Sequence, residues 1–470
     1  CYPAFNYGRD SHETVISDKG ASHHSLDLSL GLASTIALEK NDQGSFAEFE
    51  IMEGGETAVF MLHKIERGEG CTLSYSERQA ESRFQNTIDY WRNWLSKSTY
   101  KGRWREMVNR SALILKLLTF EPTGAIVAAP TCSLPEGIGG ERNWDYRYTW
   151  VRDAAFTVYA FLKLGFKEEA LNFGKWMLER SREDDTGALQ IMYGIDGRHR
   201  LDEFTLDHLE GYMGSSPVRI GNGAYDQLQL DIYGELLDSL YLTDKHVQPI
   251  SFSGWKHIIK HVKWISENWQ RKDDGIWEVR GGQQHFVYSK VMAWVALDRA
   301  VRLSRKRSFP ADLQELSRIR DEIFMEIIEK GWNEKRQAFD QYYGSNTLDA
   351  SNLMMPLVFF MSPYDPMMEK TMEAIMQTPN EGGLLTNSLV YRYNVNEVDD
   401  GLSGEEGTFN ICTFWLVEAL TRSGKMYPAK LEKARLIFEQ MLGDANHVGM
   451  YSEQIGLSGE ALGNTPQAVT

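Results

Sequence analysis

Cysteine is scarce. The chain has four in 470 residues, at Cys1, Cys71, Cys132 and Cys412. They are scattered and share no metal-ligand spacing, which argues against a structural zinc site and a disulfide framework and points to a reducing, cytoplasmic setting. Long uncharged apolar runs are also missing, so no membrane-spanning helix is expected. Basic charge is in deficit: 50 Lys and Arg against 66 Asp and Glu leave a net charge of −16. Without a basic stripe to neutralise phosphates, nucleic acid and anionic membrane are excluded as partners. The balance suits an enzyme acting on a neutral substrate. A hydrophobic fraction of 42% and a charged fraction of 25% are those of a folded globular chain. Its 470 residues exceed one ordinary core, so two domains or one large barrel are expected. Both ends look cut. Residue 1 is Cys, no signal peptide is recognisable, and Gly463 to Thr470 reads as a turn and the first half-turn of a helix. A helix stopping there would leave most of its backbone groups unpartnered, so the sequence reads as a fragment.

Hydrophobic periodicity divides the chain. Over residues 1–75, Ser25–Leu30 and Phe46–Ile51 alternate with period two, Met52–Gly55 reads as a turn and Thr57–Leu62 as a further strand. This is expected to be part of a β-sandwich domain. Ser76–Ser96 is a polar, charged helix carrying Trp91 and Trp94, and residues 76–101 are read as a helical linker. From 102 to 470 the pattern is helical, with segments starting near 103, 152, 166, 222, 252, 287, 311, 349, 365, 407, 427 and 464. The links before every second segment are mostly long and rich in Gly, aromatics and carboxylates, whereas most of the others are short. Alternation of plain and elaborate links is what a ring of six helix pairs would show, an (α/α)6 barrel whose inner helices start at one mouth. The fold class expected is therefore mainly α, with the last helix of the barrel truncated.

The chemistry concentrates in those elaborate loops. Gly139–Asp153 holds four aromatics and six ionisable side chains within fifteen residues and feeds directly into an apolar helix. Aromatic faces stack on sugar rings, and fixed Arg and Asp groups bind hydroxyls bidentately, so the stretch looks like a carbohydrate subsite. The plainer reading is a solvated loop with locally packed aromatics. Two carboxylates stand out, Glu278 in Gly-Ile-Trp-Glu-Val-Arg-Gly-Gly and Glu453 in Tyr-Ser-Glu-Gln-Ile-Gly, 175 positions apart. Hydrolysis of a glycosidic bond needs a proton donor to the leaving oxygen and a second carboxylate as nucleophile or base. A single loop glutamate is usually just solvated, so the case rests on several loops agreeing.

Together these segments resemble glycoside hydrolase family 15, the glucoamylase and trehalase family, in its prokaryotic branch. The likeness runs over nearly the whole chain and is carried by Asn143–Asp153 (NWDYRYTWVRD), Pro217–Asn222 (PVRIGN), Gly275–Arg280 (GIWEVR) and Ser452–Gln454 (SEQ). It implies a β supersandwich followed by an (α/α)6 barrel and an inverting hydrolysis that releases β-glucose from a non-reducing end. It further implies Glu278 as general acid, Glu453 as general base activating a water, and Arg152 and Asp153 as the grip on the terminal glucose. Tyr146 matches a tyrosine beside that water and Trp150 an aromatic wall. Trp277 joins the substrate-binding set, and Arg392 in Val-Tyr-Arg-Tyr looks like a second subsite arginine. One departure matters. Fungal members carry a second Glu directly after the acid, where this chain has Val279-Arg280, so their leaving-group contacts do not carry over.

Glu210 is a rival for the acid, set aside because Trp277 precedes Glu278 as in the family motif. Glu405 and Glu406, just before the helix near 407, are further pocket candidates on position alone. His257 and His261 have i, i+4 spacing but no third ligand, and are read as a surface helix face. His23-His24 is read as surface, and neither metal nor cofactor is expected. The function expected first is a glucoamylase-like exo-α-glucosidase on α-glucans or maltooligosaccharides. α,α-Trehalase, with the same acid and base, is the close alternative. A sugar-binding protein without turnover, or a phosphorolytic enzyme, would not need both glutamates.

Overall fold

The structure is a computed structural model that describes residues 1–50, 57–183, 185–398, 400–401, 404 and 406–469. The chain separates into two compact units, Cys1–Ser96 and Lys97–Thr470. The helix expected as a linker is α1 (Glu77–Leu95), grouped with the strands. Ser76 caps it, accepting from the backbone N–H of Gln79, whose side chain returns the bond in a capping box.

The first unit is built on a four-stranded antiparallel sheet. Its order is β1 (Glu13–Ser17), β2 (Gly20–His24), β3 (Ser29–Ser34) and β6 (Phe60–Ile65), with a hairpin of β4 (Glu39–Asn41) and β5 (Gly44–Phe46) beside it. Ala21, Leu32 and Leu38 form a core. The strands are shifted from their expected places. Ser25 to Leu28 is a turn closed by Ser25 N–H on the Leu28 carbonyl, so the ladder begins only at Ser29. Pairing of Ser29 with Ile65 through Ser34 with Phe60 moves the last strand three residues toward the C-terminus. The strand expected over Phe46–Ile51 ends at Phe46. Ile51 and the Met52–Gly55 turn lie outside the described residues. His23 is buried rather than superficial, held by Thr14 Oγ1 at 2.9 Å and Ser45 Oγ at 3.2 Å.

The second unit is the (α/α)6 barrel. Its helices are α2 (Arg105–Leu117), α3 (Val151–Leu164), α4 (Lys167–Glu183), α5 (Asp231–His246), α6 (Phe252–Asn268), α7 (Val287–Arg307), α8 (Leu313–Glu326), α9 (Pro366–Ile375), α10 (Asn410–Ser423) and α11 (Pro428–Met441). The inner ring runs α3 to α5 to α7, then through the 3₁₀ turn Ala350–Met354 to α10, each packed on the next. Burial follows: α7 is enclosed on every face from Val287 to Val301, as its lack of a polar stripe requires. Gly234 sets the spacing of two inner helices, because a Cβ there would meet the Met292 carbonyl oxygen at 2.3 Å. No helix among the described residues is long and apolar enough to cross a membrane.

Three inner segments depart from expectation, because side chains, prolines or a distant carbonyl take the place of the backbone bonds a helix would use. Near 222, Asn222 Oδ1 accepts from Ala224 N–H, and Asp274 and Asp273 accept from Leu228 and Leu230 N–H, so the helix starts only at Asp231. Near 349, Asp349 caps a short 3₁₀ turn, and Pro356 has no N–H to carry the ladder on, so no α-helix forms. No helix starts at 464 among the described residues. Pro466 has no N–H to donate, and Ala468 N–H bonds instead to the Ala128 carbonyl at 2.8 Å. This last segment lies over the barrel mouth, where Asn464 Nδ2 donates to the Trp144 carbonyl.

Candidate active site

The loops that open the inner helices converge on a cleft of about 670 Å³. Its lining includes Tyr146, Trp150, Arg152, Asp153, Trp277, Glu278, Arg392 and Glu453, which come from four separate segments, Arg152 and Asp153 from the first turn of α3. A second, contiguous compartment of about 440 Å³ lies against it and shares Glu136, Tyr146, Trp277, Glu278 and Arg392.

Glu278 sits in a turn closed by Val279 N–H on the Asp274 carbonyl, and its own φ is +57°. A non-glycine residue in the left-handed region costs energy, and such strain persists where the surroundings hold it. Here two donors hold the side chain: Trp150 Nε1 at 2.7 Å and Arg152 Nη2 at 3.3 Å both donate to Glu278 Oε1. Trp150 is thus a clamp on this carboxyl as well as a wall. Arg152 is itself fixed by Gln229 Oε1 at 2.7 Å and Asp231 Oδ2 at 3.1 Å, and lies 3.6 Å from Asp153. Burial raises the Asp153 carboxyl to about 6 against the pull of Arg152.

Glu453 stands at the start of a small sheet in which Gln454–Ile455 pairs with Thr408–Phe409 and with Ala461–Leu462. Its backbone carbonyl accepts from Asn410 N–H, tying it to the start of α10. Tyr146 donates its hydroxyl to Glu453 Oε1 at 2.9 Å. Burial raises Glu453 to about 7, opposed by Tyr146, Gln467 and Arg392. Burial also raises the Tyr146 phenol well above its ordinary range, so it remains a donor. Gly463, at φ +79°, backs this carboxylate so closely that a Cβ would lie 2.6 Å from Glu453 Oε2.

Arg392 is held by Glu406, from Nε at 2.8 Å and through a second contact from Nη2, with its guanidinium 4.9 Å from the Phe409 ring centroid. Glu406 also pairs with Arg142, which reaches Asp400 at 3.1 Å. Glu406 is therefore the counter-ion behind Arg392 and not part of the cleft wall. Glu210 is exposed and lines neither compartment, and Glu405 lies outside the described residues. His261 is buried, bonded to the Gly187 carbonyl and Ser181 Oγ, a correction to its reading as surface. No group of three or more His, Cys, Asp or Glu among the described residues is placed to hold a metal ion.

Sequence reasoning missed Glu136, Asp231, Gln229 and Asp349. Asp349 accepts from Trp277 Nε1 at 3.0 Å and so orients that ring. Glu136 precedes the Gly139–Asp153 stretch by three residues, and the position argument applied to Glu405 and Glu406 would have found it. Chemically, two carboxylates on one cleft beside an Arg-Asp pair and aromatic walls can bind a sugar ring, protonate a leaving oxygen and deprotonate a water.

Comparison with known proteins agrees with this geometry. The family described as glycosyl hydrolases family 15 matches residues 102–469. A protein named trehalase from Thermoplasma volcanium is 38% identical over 469 residues, 100% of this chain and 72% of the relative. Its namesake from Mycolicibacterium smegmatis is 43% identical over 489 residues, covering 100% and 70%. That from Mycobacterium tuberculosis is 44% identical over 396 residues, covering 83% and 57%. Among solved structures, a bacterial glucoamylase complexed with acarbose superposes with a TM-score of 0.69 at 15% identity, over 98% of this chain and 72% of that one. The glucoamylase of Saccharomycopsis fibuligera gives 0.57 at 13% identity, over 77% and 92%.

Proposed function

The chain belongs to glycosyl hydrolases family 15, and from that premise we propose that it is an inverting α,α-trehalase. The observation that carries the substrate is the set of relatives named trehalase at 38–44% identity. It moves the reading from maltooligosaccharides, expected first, to trehalose. The glucoamylase structures, at 15% identity or less, speak for the fold alone.

In this reading Arg152 and Asp153 grip the terminal glucose. Glu278, its Oε1 occupied by Trp150 and Arg152, uses the other oxygen to deliver a proton to the glycosidic oxygen as the C1–O bond breaks. Glu453, steadied by Tyr146, takes a proton from the water whose oxygen attacks C1 from the opposite face. Arg392 and Trp277 flank the ring. Trehalose and water become two glucoses: the attacked ring is released as β-glucose, and the leaving ring keeps its α configuration.

Incubation with trehalose, maltose, maltotriose and isomaltose, with glucose release followed, tests this. Trehalose should be cleaved fastest, and proton NMR at first turnover should show α- and β-glucose in equal amounts. Cleavage of maltotriose without trehalose would sink the trehalase reading, and two α anomers would sink inversion.

A further inference from the structure

Departure from the fungal pattern after Glu278 leaves open what receives the leaving sugar, and the outer compartment bears on it. Glu278 lies at the seam of the two compartments, whereas Arg152 and Asp153 line only the inner one. If the inner one takes the terminal glucose, the scissile oxygen lies at the seam and the departing ring falls in the outer one.

The polar side chains of the outer compartment are mostly already engaged. Arg142 pairs with Asp400 and Glu406. Asn222 spends its carboxamide on the Asp145 carbonyl and Ala224 N–H. Arg280 lies 4.5 Å from the Trp144 ring centroid and 3.4 Å from Glu203. Trp277 is on Asp349, Arg392 on Glu406 and Tyr146 on Glu453. Glu136 differs. It is only 4% exposed and lines both compartments, yet its carboxyl makes no hydrogen bond among the described residues. Its carboxyl oxygens open on the cavity, so a ligand hydroxyl in the cleft can reach them. Its backbone is firmly placed: Glu136 N–H donates to the Arg142 carbonyl at 3.0 Å, and the Pro135 carbonyl accepts from Gly463 N–H at 2.7 Å. Burial, with Glu453 and Glu406 nearby, raises the Glu136 carboxyl well above its ordinary range against Arg392 and Arg142.

On the trehalase reading above, we infer that Glu136 determines specificity for the leaving sugar, hydrogen-bonding a hydroxyl of the departing glucose in the outer compartment beside Trp144 and Arg280. It does not act on the terminal ring and moves no proton in the reaction.

The test compares trehalose with α-glucosyl fluoride, which presents the same terminal glucose and no leaving sugar. In Glu136→Ala, kcat/KM on trehalose should fall by about 10- to 100-fold, the cost of one unmade hydrogen bond at a buried site, and on the fluoride by less than about threefold. Glu136→Gln, which keeps a donor and an acceptor, should recover part of the trehalose loss. Equal losses on both substrates, or no loss on either, would overturn the assignment. A parent chain that cleaves the fluoride but no disaccharide would instead overturn the trehalase reading, and the assignment with it, having no leaving sugar to bind.

Discussion

Two carboxylates in one cleft do different work only if their protons are placed differently, and single residues decide that. Trp150 and Arg152 fix one oxygen of Glu278. Glu278→Gln keeps the shape and the acceptor but has no proton to give. Turnover of trehalose should fall by roughly 10²- to 10⁴-fold while calorimetric affinity stays within a few fold, and near-normal turnover would refute the acid role. Burial raises Glu453 to about 7. A base works only when ionised, so the rising limb of kcat/KM should extend to about pH 7, and Glu453→Gln should abolish both that limb and most of the activity. Stability runs the other way. A carboxyl whose folded pKa lies above its unfolded value stabilises fully below the unfolded value, and that contribution is lost as pH rises through the folded one. Glu453→Gln should therefore gain about 1–3 kcal/mol over the parent at pH 8 and little at pH 4, read from thermal unfolding at the two pH values. At this scale the sequence was informative where residues sit in runs with distinctive neighbours: Tyr146, Trp150, Arg152, Asp153, Trp277, Glu278, Arg392 and Glu453 all reach one cleft. It was silent on groups that matter through tertiary neighbours alone. Nothing in the local pattern links Asp231 to Arg152, 79 positions away, or Asp349 to Trp277.

Elements of the barrel explain why those runs could be read and others could not. Helices with a clean apolar face or full burial, such as α3, α7 and α10, begin within three residues of their expected starts. The inner segments near 222, 349 and 464 were misplaced because Asx and Asp side chains, or proline, compete locally with the helix, and hydrophobic period does not register that competition. The same local competition builds the site, since the backbone freed from helices is the backbone that lines the mouth. The small sheet carrying Glu453 illustrates it. Gly463, at the end of the third strand, leaves room for the carboxylate that faces it. Gly463→Ala would place a methyl 2.6 Å from Glu453 Oε2 at a φ of +79°. Destabilisation of about 1 kcal/mol is expected from the backbone, with a larger functional effect: kcat reduced by about 10- to 100-fold with KM little changed, because displacing the base by a fraction of an ångström spoils alignment. A loss confined to Tm, with kcat intact, would show that the base loop adjusts freely.

Charge acts over the whole molecule, and here its sign and the substrate can be set against each other. With a net charge of −16 the protein carries a negative field that would repel anionic polymers and concentrate cations. Trehalose has no charge for that field to act on. On the trehalase reading steering contributes nothing to capture, and the interactions proposed to grip the ring are buried hydrogen bonds that salt screens poorly. Arg152 illustrates this, since its guanidinium is enclosed by Asp231, Asp153 and Glu278 and is nearly inaccessible to counter-ions. Raising NaCl from 20 to 500 mM shortens the Debye length from roughly 20 Å to about 4 Å, which removes long-range effects while leaving the cleft's ion pairs in place. kcat/KM on trehalose should therefore change by less than about twofold across that range. A phosphorylated disaccharide, by contrast, should be a poor substrate that improves as salt rises, because screening relieves its repulsion. A steep fall of trehalose turnover with salt would mean that exposed charge takes part in binding the sugar, and would place the grip outside the buried Arg152–Asp153 pair.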